Sequence, residues 1–445
     1  MQSVKNLTTG PIWKQLINLA IPIMGTSFVQ MAYSLTDMAW VGRLGSEAVA
    51  AIGAVGILTW MIQSFSLLNK VGAEVTVGHS IGAENSEEAK NYAAHNLTIA
   101  LVLSLAWGIL FFTFASQIVS LYKLNFEISV KAVEYLRVIA TAFPFLFLAS
   151  AFTGIHNAAG LSKIPFYISS IGLILNMVLD PMFILGFGWG TAGAAYATWL
   201  SECTVMLLFI YQLKVRNRLW HGFRFFVPLK WTYTFKVIQI GLPVALLNGF
   251  FAVINMLMGR TASTYGGHYG LVALTTGGQI EAIAWNTSQG FSTALSAFTA
   301  QNYAAHKRDR VEAAYRTTLK MTSVFGVFCT LLFALYGSEI FSIIVPEREA
   351  YMAGGVFLRI DAYSMIFMML EITMQGLFYG MGHTVPPAVT SMAFNTLRVP
   401  LAILLGAAGF GIEGVWWAIS VSSILKGLVL FVWYRTLQKK MWCNS

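Results

Sequence analysis

The sequence predicts an all-α integral membrane protein with twelve transmembrane helices, arranged as two parallel-repeat lobes of six. Scarce charge, a succession of long apolar runs and an internal repeat support this prediction. Of the 445 residues, 57% are hydrophobic and only 11% are charged, whereas soluble globular chains are typically about 25% charged. Because so few charges cannot cover a soluble fold, most of the surface must face lipid or other helices.

Twelve apolar runs are long enough to cross a membrane, which takes about 20 residues and more when the helix tilts. They are residues 15–44, 49–82, 90–114, 130–158, 164–186, 191–213, 234–264, 271–303, 312–337, 350–380, 385–407 and 412–435. The polar segment 1–10 lacks the regions of a cleaved signal, so the first run is expected to remain as a spanning helix. The segment NSEEAK (85–90) is typical of a capping box that begins the third helix.

Basic residues concentrate in alternate loops. They are Lys214, Arg216, Arg218, Arg224, Lys230, Lys307, Arg308, Arg310, Arg435, Lys439 and Lys440. With twelve spans these loops lie on one side of the membrane, so the positive-inside rule places both termini in the cytoplasm. The predicted location is the cell (inner or plasma) membrane. The net charge of +9 therefore indicates membrane orientation rather than nucleic-acid binding.

An ordered series of landmarks recurs along the chain at nearly constant spacing. Pro22 in LAIP corresponds to Pro243 in IGLP, and YLRVIA (135–140) to FLRIDA (357–362). The glycines Gly188, Gly190 and Gly193 likewise correspond to Gly409, Gly411 and Gly414. Such a series indicates duplication, with an N-lobe at residues 1–222 and a C-lobe at residues 223–445. Because each lobe has an even number of spans, the lobes are expected to be parallel repeats around a central cleft.

Intramembrane charges are the candidate functional residues, because each costs at least about 2.5–3.5 kcal/mol at the bilayer centre on insertion scales. Gln30, Tyr33 and Asp37 recur at i, i+3 and i+7, so they share one helical face. That face would offer a polar, partly aromatic surface to a substrate cavity. The alternative is that the Asp37 carboxylate is neutralised by a neighbour for packing alone.

A second group of polar residues surrounds Pro181. Asn176 and Asp180 lie one helical turn apart, and Thr198 lies in the next predicted helix, with Glu202 one turn beyond it. The carboxylates of Asp37 and Asp180, the Asn176 amide and the Thr198 hydroxyl supply oxygen ligands for a small hard cation such as Na⁺. Glu202 would extend this polar face and is a candidate for the substrate cavity. Without a metal ion, two nearby carboxylates would share a proton. Alternatively, Asn176 and Asp180 cap a broken helix.

Other intramembrane charges leave their roles open. Lys70 and Glu74 have the i, i+4 spacing of an intrahelical ion pair, and Glu281 is a candidate for the substrate cavity. Glu371 and Arg398 are further candidates, since an arginine–carboxylate pair would be structural or a gate. Arg137 and Arg359 occupy matching repeat positions near helix starts, where snorkelling is expected.

Several signatures of other functions are absent from the sequence. There is no GxxxxGK[ST] phosphate loop, no HExxH motif and no recognisable Ser/His/Asp constellation, so we predict a non-enzyme that uses an ion gradient and no cofactor. Cys203, Cys329 and Cys443 are far apart and form no CxxC pair, which argues against disulfides and structural zinc.

Five segments together resemble the multidrug and toxic compound extrusion (MATE) family. They are LTTGPIWKQLINLAIP, QMAYSLTDMAWVGRLG, VGHSIGAEN, LNMVLDP and GTAGAAYAT. The resemblance spans the whole chain and is strongest in the first half. It implies a V-shaped twelve-helix antiporter that exports organic, often cationic and aromatic compounds in exchange for Na⁺ or H⁺.

The resemblance also implies roles for individual residues. The cation-site positions of the branch with an N-lobe site match Asp37, Asn176, Asp180 and Thr198, and Gln30 and Tyr33 match cavity-facing positions. Another branch has carboxylates in its seventh helix and after its tenth-helix glycines. Here these places hold Asn248, Asn255 and His383, so a C-lobe site of that kind is not implied.

The leading prediction is therefore a Na⁺- or H⁺-coupled efflux antiporter, monomeric, with small organic substrates and surrounding lipid as its partners. A lipid-linked precursor flippase is the alternative, and it would need a cavity rich in basic residues. A membrane-embedded enzyme is a third hypothesis, disfavoured by the missing catalytic constellation.

Overall fold

The computed structural model describes residues 5–120, 122, 124–216 and 224–441, and within these ranges all regular secondary structure is helical. Arg218 and Cys443 lie outside the described residues. The helices are α1 (Ile12–Val41), α2 (Ser46–Gly82), α3 (Ser86–Thr113), α4 (Ala115–Ser120), α5 (Phe126–Ala158), α6 (Lys163–Pro181), α7 (Gly190–Tyr211), α8 (Trp231–Ala304), α9 (Arg308–Ile344), α10 (Arg348–Ala362), α11 (Met365–Gly380), α12 (Val385–Leu405) and α13 (Gly411–Met441).

Helix α3 shows how local sequence sets a helix start. The Asn85 side chain accepts a hydrogen bond from the Glu88 backbone N–H at 3.1 Å, so it satisfies one of the free donors of the first turn. The helix thus begins at Ser86, four residues before the apolar run predicted from residue 90. The polar first turn belongs to the helix but not to the part expected in lipid.

Within the described residues, nine helices are long and apolar enough to cross a membrane, or ten if α10 and α11, bent by 56°, form one span. Two of the nine are much longer than a single crossing needs. They are Trp231–Ala304, which is α8, and Val385–Thr436, which combines α12 with most of α13. Each is broken at a glycine with positive φ, at Gly267 (φ 57°) and Gly409 (φ 101°). Twelve spans require two crossings from each of these helices, and that count stays a prediction.

The chain forms two compact units. The first comprises Met1–Gly10, Asn18–Ala245 and Ala300–Lys307, and the second comprises Pro11–Ile17, Leu246–Thr299 and Arg308–Ser445. Helix α8 therefore contributes its two ends to the first unit and its middle to the second.

The first unit is organised around α5, which packs against α2, α3 and α7. Its core is mainly aliphatic with several buried aromatic rings, and the ring centroids of Phe152 and Phe209 lie 5.6 Å apart in a stacked pair. The N-terminal segment is also fixed within this unit. Leu7 donates its N–H to Gln301 Oε1 at 3.0 Å and accepts a bond from Asn302 Nδ2 at 3.1 Å.

The second unit is organised around α13, which packs against α10, α11 and α12. Helix α9 also packs against α10 and α11. Phe357 and Trp416 meet edge to face with centroids 4.9 Å apart, an arrangement that aromatic quadrupoles favour.

The repeat predicted from the sequence recurs in the backbone. Gly190 and Gly411 both have φ 55°, and they are 221 residues apart. The two non-glycine residues with positive φ, Glu84 at 57° and His306 at 55°, are 222 residues apart. Positive φ is uncommon outside glycine, so paired values at the repeat spacing indicate that the two halves fold alike.

One close helix contact also occurs in both halves. A Cβ on Gly154 would lie 2.2 Å from the Lys70 carbonyl oxygen, and one on Gly376 would lie 2.3 Å from the Ser292 carbonyl oxygen. Both members of the contact are shifted by 222 residues. Only glycine permits these approaches, because real Cβ atoms need more than 3 Å. The duplication therefore preserved a helix crossing as well as sequence landmarks.

Candidate cation site of the first unit

Helix α1 places Tyr33 and Asp37 on one face near its C-terminal end, and both side chains are half-buried. Ser201 of α7 lies beside the Tyr33 hydroxyl. Neither hydroxyl oxygen has a hydrogen-bond partner with good geometry among the described residues. Since buried hydroxyls without partners are costly, this part of the face suits a water molecule or a polar group of a ligand.

Helix α6 contributes Asn176 and Asp180, and both side chains are fully buried. The Asn176 amide donates from Nδ2 to Asp180 Oδ1 at 3.1 Å, across the single helical turn that separates them. Helix α6 ends at Pro181. The hydrogen bond that the Asp180 carboxylate accepts comes from the Asn176 side chain, not from a backbone N–H at a helix end. This geometry does not support helix capping.

Helix α7 contributes Thr198, whose hydroxyl has two acceptors within reach. It donates to the Ala194 carbonyl oxygen at 3.1 Å and lies 3.4 Å from Asp37 Oδ2. The single proton favours the shorter contact, because hydrogen bonds weaken near 3.5 Å. The Thr198 oxygen therefore keeps lone pairs that can face the Asp37 carboxylate and a cation held beside it.

These three helices bring all four predicted cation-site residues together. The Asp37 carboxyl lies within hydrogen-bonding reach of Asp180, Asn176 and Thr198. Asp37 Oδ1, Asn176 Oδ1 and Asp180 Oδ2 accept no hydrogen bond from the described residues. Two carboxylates this close together, each with a buried oxygen, cannot both stay charged without compensation. The arrangement can hold a small cation on its free oxygens or share one proton between the acids.

Further polar residues border the carboxylate pair. Glu202, one turn after Thr198 on α7, interacts electrostatically with Asp37 and Tyr33. Tyr135 of α5 is buried and interacts electrostatically with Asp37 and Asp180. Tyr135 is not among the residues predicted from the sequence. A comparison of the two halves could have found it, because the equivalent residue of the second half, Phe357, has no hydroxyl group.

Three other predicted residues, Gln30, Lys70 and Glu74, do not take part in these contacts. Gln30 is exposed on α1, and no hydrogen bond joins it to the described residues. In α2, Lys70 interacts electrostatically with Glu74, at the i, i+4 spacing that predicts a local ion pair. Neither observation links these side chains to the carboxylate pair.

Glu281 belongs to the second unit, in a buried charge cluster with Asp361, Glu371, Arg398 and Lys426. Lys426 Nζ lies 3.1 Å from Glu371 Oε2, with both side chains more than nine-tenths buried. Glu371 Oε1 also accepts a hydrogen bond from Ser391 Oγ at 2.6 Å. Lys426 and Asp361 are not among the residues predicted from the sequence, although each is a charge within an apolar run.

Arg398 is held mainly by hydroxyl groups. Its Nε donates to Ser422 Oγ at 2.7 Å, and a terminal nitrogen donates to Ser423 Oγ at 2.8 Å. Glu281, Glu371 and Asp361 interact with it electrostatically. The cluster thus contains two basic and three acidic side chains, so the positive charge of both basic residues is balanced by nearby acids.

Among the described residues, no group of three or more His, Cys, Asp or Glu side chains could hold a metal ion. The carboxylate pair with its amide and hydroxyl is a different kind of site, one that suits a hard monovalent cation. No zinc-like or other His- and Cys-rich centre is therefore part of the described structure.

A helical, multi-pass membrane protein with two homologous halves and a buried carboxylate pair belongs to the class of membrane transporters. The MatE family model matches residues 22–182 and residues 243–404, and these matches begin at Pro22 and Pro243, the landmarks of the repeat. The chain belongs to the MatE family. It is a transporter rather than an enzyme.

Curated relatives match nearly full length. A probable multidrug resistance protein NorM from Thermotoga maritima is 25% identical, covering 91% of this chain and 88% of its own. A probable multidrug resistance protein YoeA from Bacillus subtilis is 26% identical over 96% and 95% of the two chains. An FAD transporter from Shewanella oneidensis is 24% identical over 97% and 96%.

Solved structures match the whole fold. A crystal structure of MATE in the bent conformation has a TM-score of 0.92 at 23% identity, covering 98% of each chain. A MOP superfamily transporter from Pyrococcus furiosus, described as having a binding pocket of reversed polarity, has a TM-score of 0.90 at 25% identity and the same coverage. These likenesses confirm the predicted all-α, two-lobe fold class.

Proposed function

We propose that this protein is a secondary antiporter that exports small organic compounds in exchange for Na⁺ or H⁺. Membership of the MatE family and relatives named as multidrug resistance proteins support efflux as the activity. The observation that carries the coupling proposal is the group of hydrogen-bond-free oxygens on Asp37, Asn176 and Asp180. A buried group of this kind is stable only when a positive ion or a proton occupies it.

Ion binding would act on helix α1. Without a cation, the negative charges of Asp37 and Asp180 repel each other, whereas a bound Na⁺ or shared proton holds the two helices together. Pro22 lies inside α1, where it removes a backbone hydrogen bond and eases bending. The ion drives transport only if it binds the two conformations of the protein unequally.

The substrate class follows from the groups beside this site. Tyr33 offers an aromatic face and Glu202 a carboxylate, and both interact electrostatically with Asp37. Aromatic faces and carboxylates together favour organic cations. Gln30 and Glu281 are proposed as further cavity residues. A flippase is less well supported, because the buried cations Arg398 and Lys426 already interact with acids.

The same proposal covers the cellular setting. The protein would lie in the cell membrane as a monomer, with both termini in the cytoplasm. The basic residues of the loops after α7 and α8, such as Lys214 and Lys307, support this orientation.

Reconstituted vesicles separate the two coupling ions. Sodium-loaded vesicles are diluted into sodium-free buffer at constant pH, and acid-loaded vesicles are diluted into alkaline buffer without sodium. Uptake of ethidium, an aromatic organic cation, is then followed by fluorescence. We expect one gradient to drive accumulation several times above that in vesicles without a gradient, and an ionophore for that ion to abolish it. Equal uptake with and without each gradient would refute coupled antiport.

A further inference from the structure

A groove on the first unit lies between the end of α3, the short helix α4, the start of α5 and α7. Its volume is about 740 Å³. A neighbouring cavity of about 500 Å³ shares Glu134 and Tyr196 with it. The two cavities therefore adjoin at Glu134 and Tyr196. Each is far larger than a water site, and no part of the proposed antiport mechanism uses either of them.

The groove carries one acid and one base on a single helical turn. Glu134 and Arg137 both line it, both are exposed, and neither forms an ion pair with a described residue. The Arg137 guanidinium instead lies 6.0 Å from the centroid of the Phe112 ring. Both charges therefore remain available to a ligand, and their i, i+3 spacing places them about 5–6 Å apart at Cβ.

The walls of the groove are apolar and open. Phe126 is 84% exposed and Val130 is 50% exposed, and both line the groove. At the shared end, Trp189 and Tyr196 are each about half exposed, with ring centroids 5.6 Å apart. Aromatic residues of this kind concentrate at the level of lipid headgroups, and exposed apolar walls suit an acyl chain.

We propose that this groove binds a zwitterionic phospholipid of the outer leaflet, with phosphoethanolamine as its headgroup. Arg137 would hold the phosphate and Glu134 the ammonium, which two carbon atoms separate from the phosphate oxygen. The exposed valine and phenylalanine wall would hold the first part of an acyl chain. The outer-leaflet assignment rests on the proposed orientation, in which the turn between α3 and α5 faces away from the cytoplasm.

The second half of the chain offers a natural comparison for the Glu134–Arg137 pair. Arg359 stands at the position equivalent to Arg137, whereas Val356 stands at the position equivalent to Glu134. The second half therefore retains the snorkelling arginine without the acid. An Arg359 variant tests whether any effect comes from the paired charges or from the loss of an interfacial arginine.

Native mass spectrometry on the purified full-length protein measures lipid retention directly. Wild type, Arg137→Gln, Glu134→Gln and Arg359→Gln are each equilibrated with equal amounts of phosphatidylethanolamine and phosphatidylglycerol. We expect wild type and Arg359→Gln to retain phosphatidylethanolamine preferentially. Arg137→Gln should retain about tenfold less of either lipid, because it loses a charge-assisted contact to phosphate. Glu134→Gln should lose the preference while still binding phosphatidylglycerol.

Three outcomes would overturn the proposal. They are equal phosphatidylethanolamine retention by all four proteins, an equal loss in Arg359→Gln, and wild-type preference for phosphatidylglycerol. The last would indicate a basic site for anionic lipid. Because lipid retention is read without any ion gradient, failure of the antiport proposal would leave this test unaffected. A size-exclusion profile identical to wild type shows that each exposed-site variant is folded.

Discussion

Replacing Asp37 with asparagine is expected to reduce gradient-driven substrate transport by about tenfold to one hundredfold, since one charged contact to the ion is worth about 1.5–3 kcal/mol. The variant keeps the size and shape of the side chain but loses the charge that a Na⁺ would need or the group that would take the proton. Thr198 and Asn176 still lie beside position 37, so the local packing should survive. The measurement is ethidium uptake in the vesicle assay.

The thermal unfolding temperature of Asp37→Asn shows whether its loss of transport comes from the missing charge or from misfolding. Because the carboxylates of Asp37 and Asp180 lie within hydrogen-bonding reach, Asp37→Asn removes their mutual repulsion and should leave the thermal unfolding temperature unchanged or raised. Asp309→Asn is the matched control, since Asp309 is an exposed aspartate at the start of α9. Wild-type transport by Asp37→Asn would contradict the proposed role of the carboxylate pair.

Lys426→Met is expected to destabilise the second unit by about 3–5 kcal/mol, which is typical when one member of a buried ion pair is removed. Glu371 would keep its hydrogen bonds from Ser391 and Gln375 but would lose its nearest cation. Arg398 interacts with Glu371 electrostatically and remains, so the lower end of that range is expected. Thermal unfolding of the detergent-solubilised protein measures the effect.

Two further variants distinguish a buried charge effect from general disruption. The double variant Glu371→Gln/Lys426→Met should recover much of the lost stability, because no charge of the pair is then left alone. Lys131→Met breaks a pair with Glu47 at 2.7 Å that is about half exposed, and it should leave the thermal unfolding temperature close to that of wild type, because solvent screens exposed ion pairs. A double variant as unstable as Lys426→Met would show that packing, not charge, explains the loss.

The sequence could predict the carboxylate pair because intramembrane acids are rare and their spacing is informative. Asp37 shares a helical face with Tyr33, and Asp180 follows Asn176 by one turn, so each local face was visible. That these faces meet with Thr198 of α7 depends on tertiary packing. The resemblance to the MATE family implies that these residues form one site, and the described geometry is compatible with that assignment.

Other features depended on information that periodicity does not contain. Gln30 has the spacing of a site residue and its side chain is exposed, so its place in the substrate cavity stays a prediction. Tyr135 lies beside the carboxylate pair and Lys426 beside Glu371, and each is a single polar residue in an apolar helix. In the sequence, such a residue cannot be told apart from a core residue or a snorkelling residue. The repeat would have found them, since Phe357 and Val205 stand at the equivalent positions and lack the polar group.

The form of the breaks between helices was harder to predict than their positions. The apolar runs ending at 264 and 407 and those starting at 271 and 412 predicted separate helices, and the backbone breaks between each pair, at Gly267 and at Gly409. A glycine with positive φ redirects the backbone without a loop of polar residues, so composition does not show how sharp each break is. The single run predicted over 350–380 is instead two helices, α10 and α11, bent by 56°.

Equilibrium cation binding to the purified, substrate-free protein tests the central claim most directly. Binding of radiolabelled Na⁺ and release of protons on transfer to alkaline buffer are measured for wild type, Asp37→Asn, Asp180→Asn and the exposed-site control Asp309→Asn. We expect saturable occupancy by one of the two ions in wild type and Asp309→Asn, and its loss in both variants of the carboxylate pair. Undiminished binding of that ion by Asp37→Asn and Asp180→Asn would contradict the account.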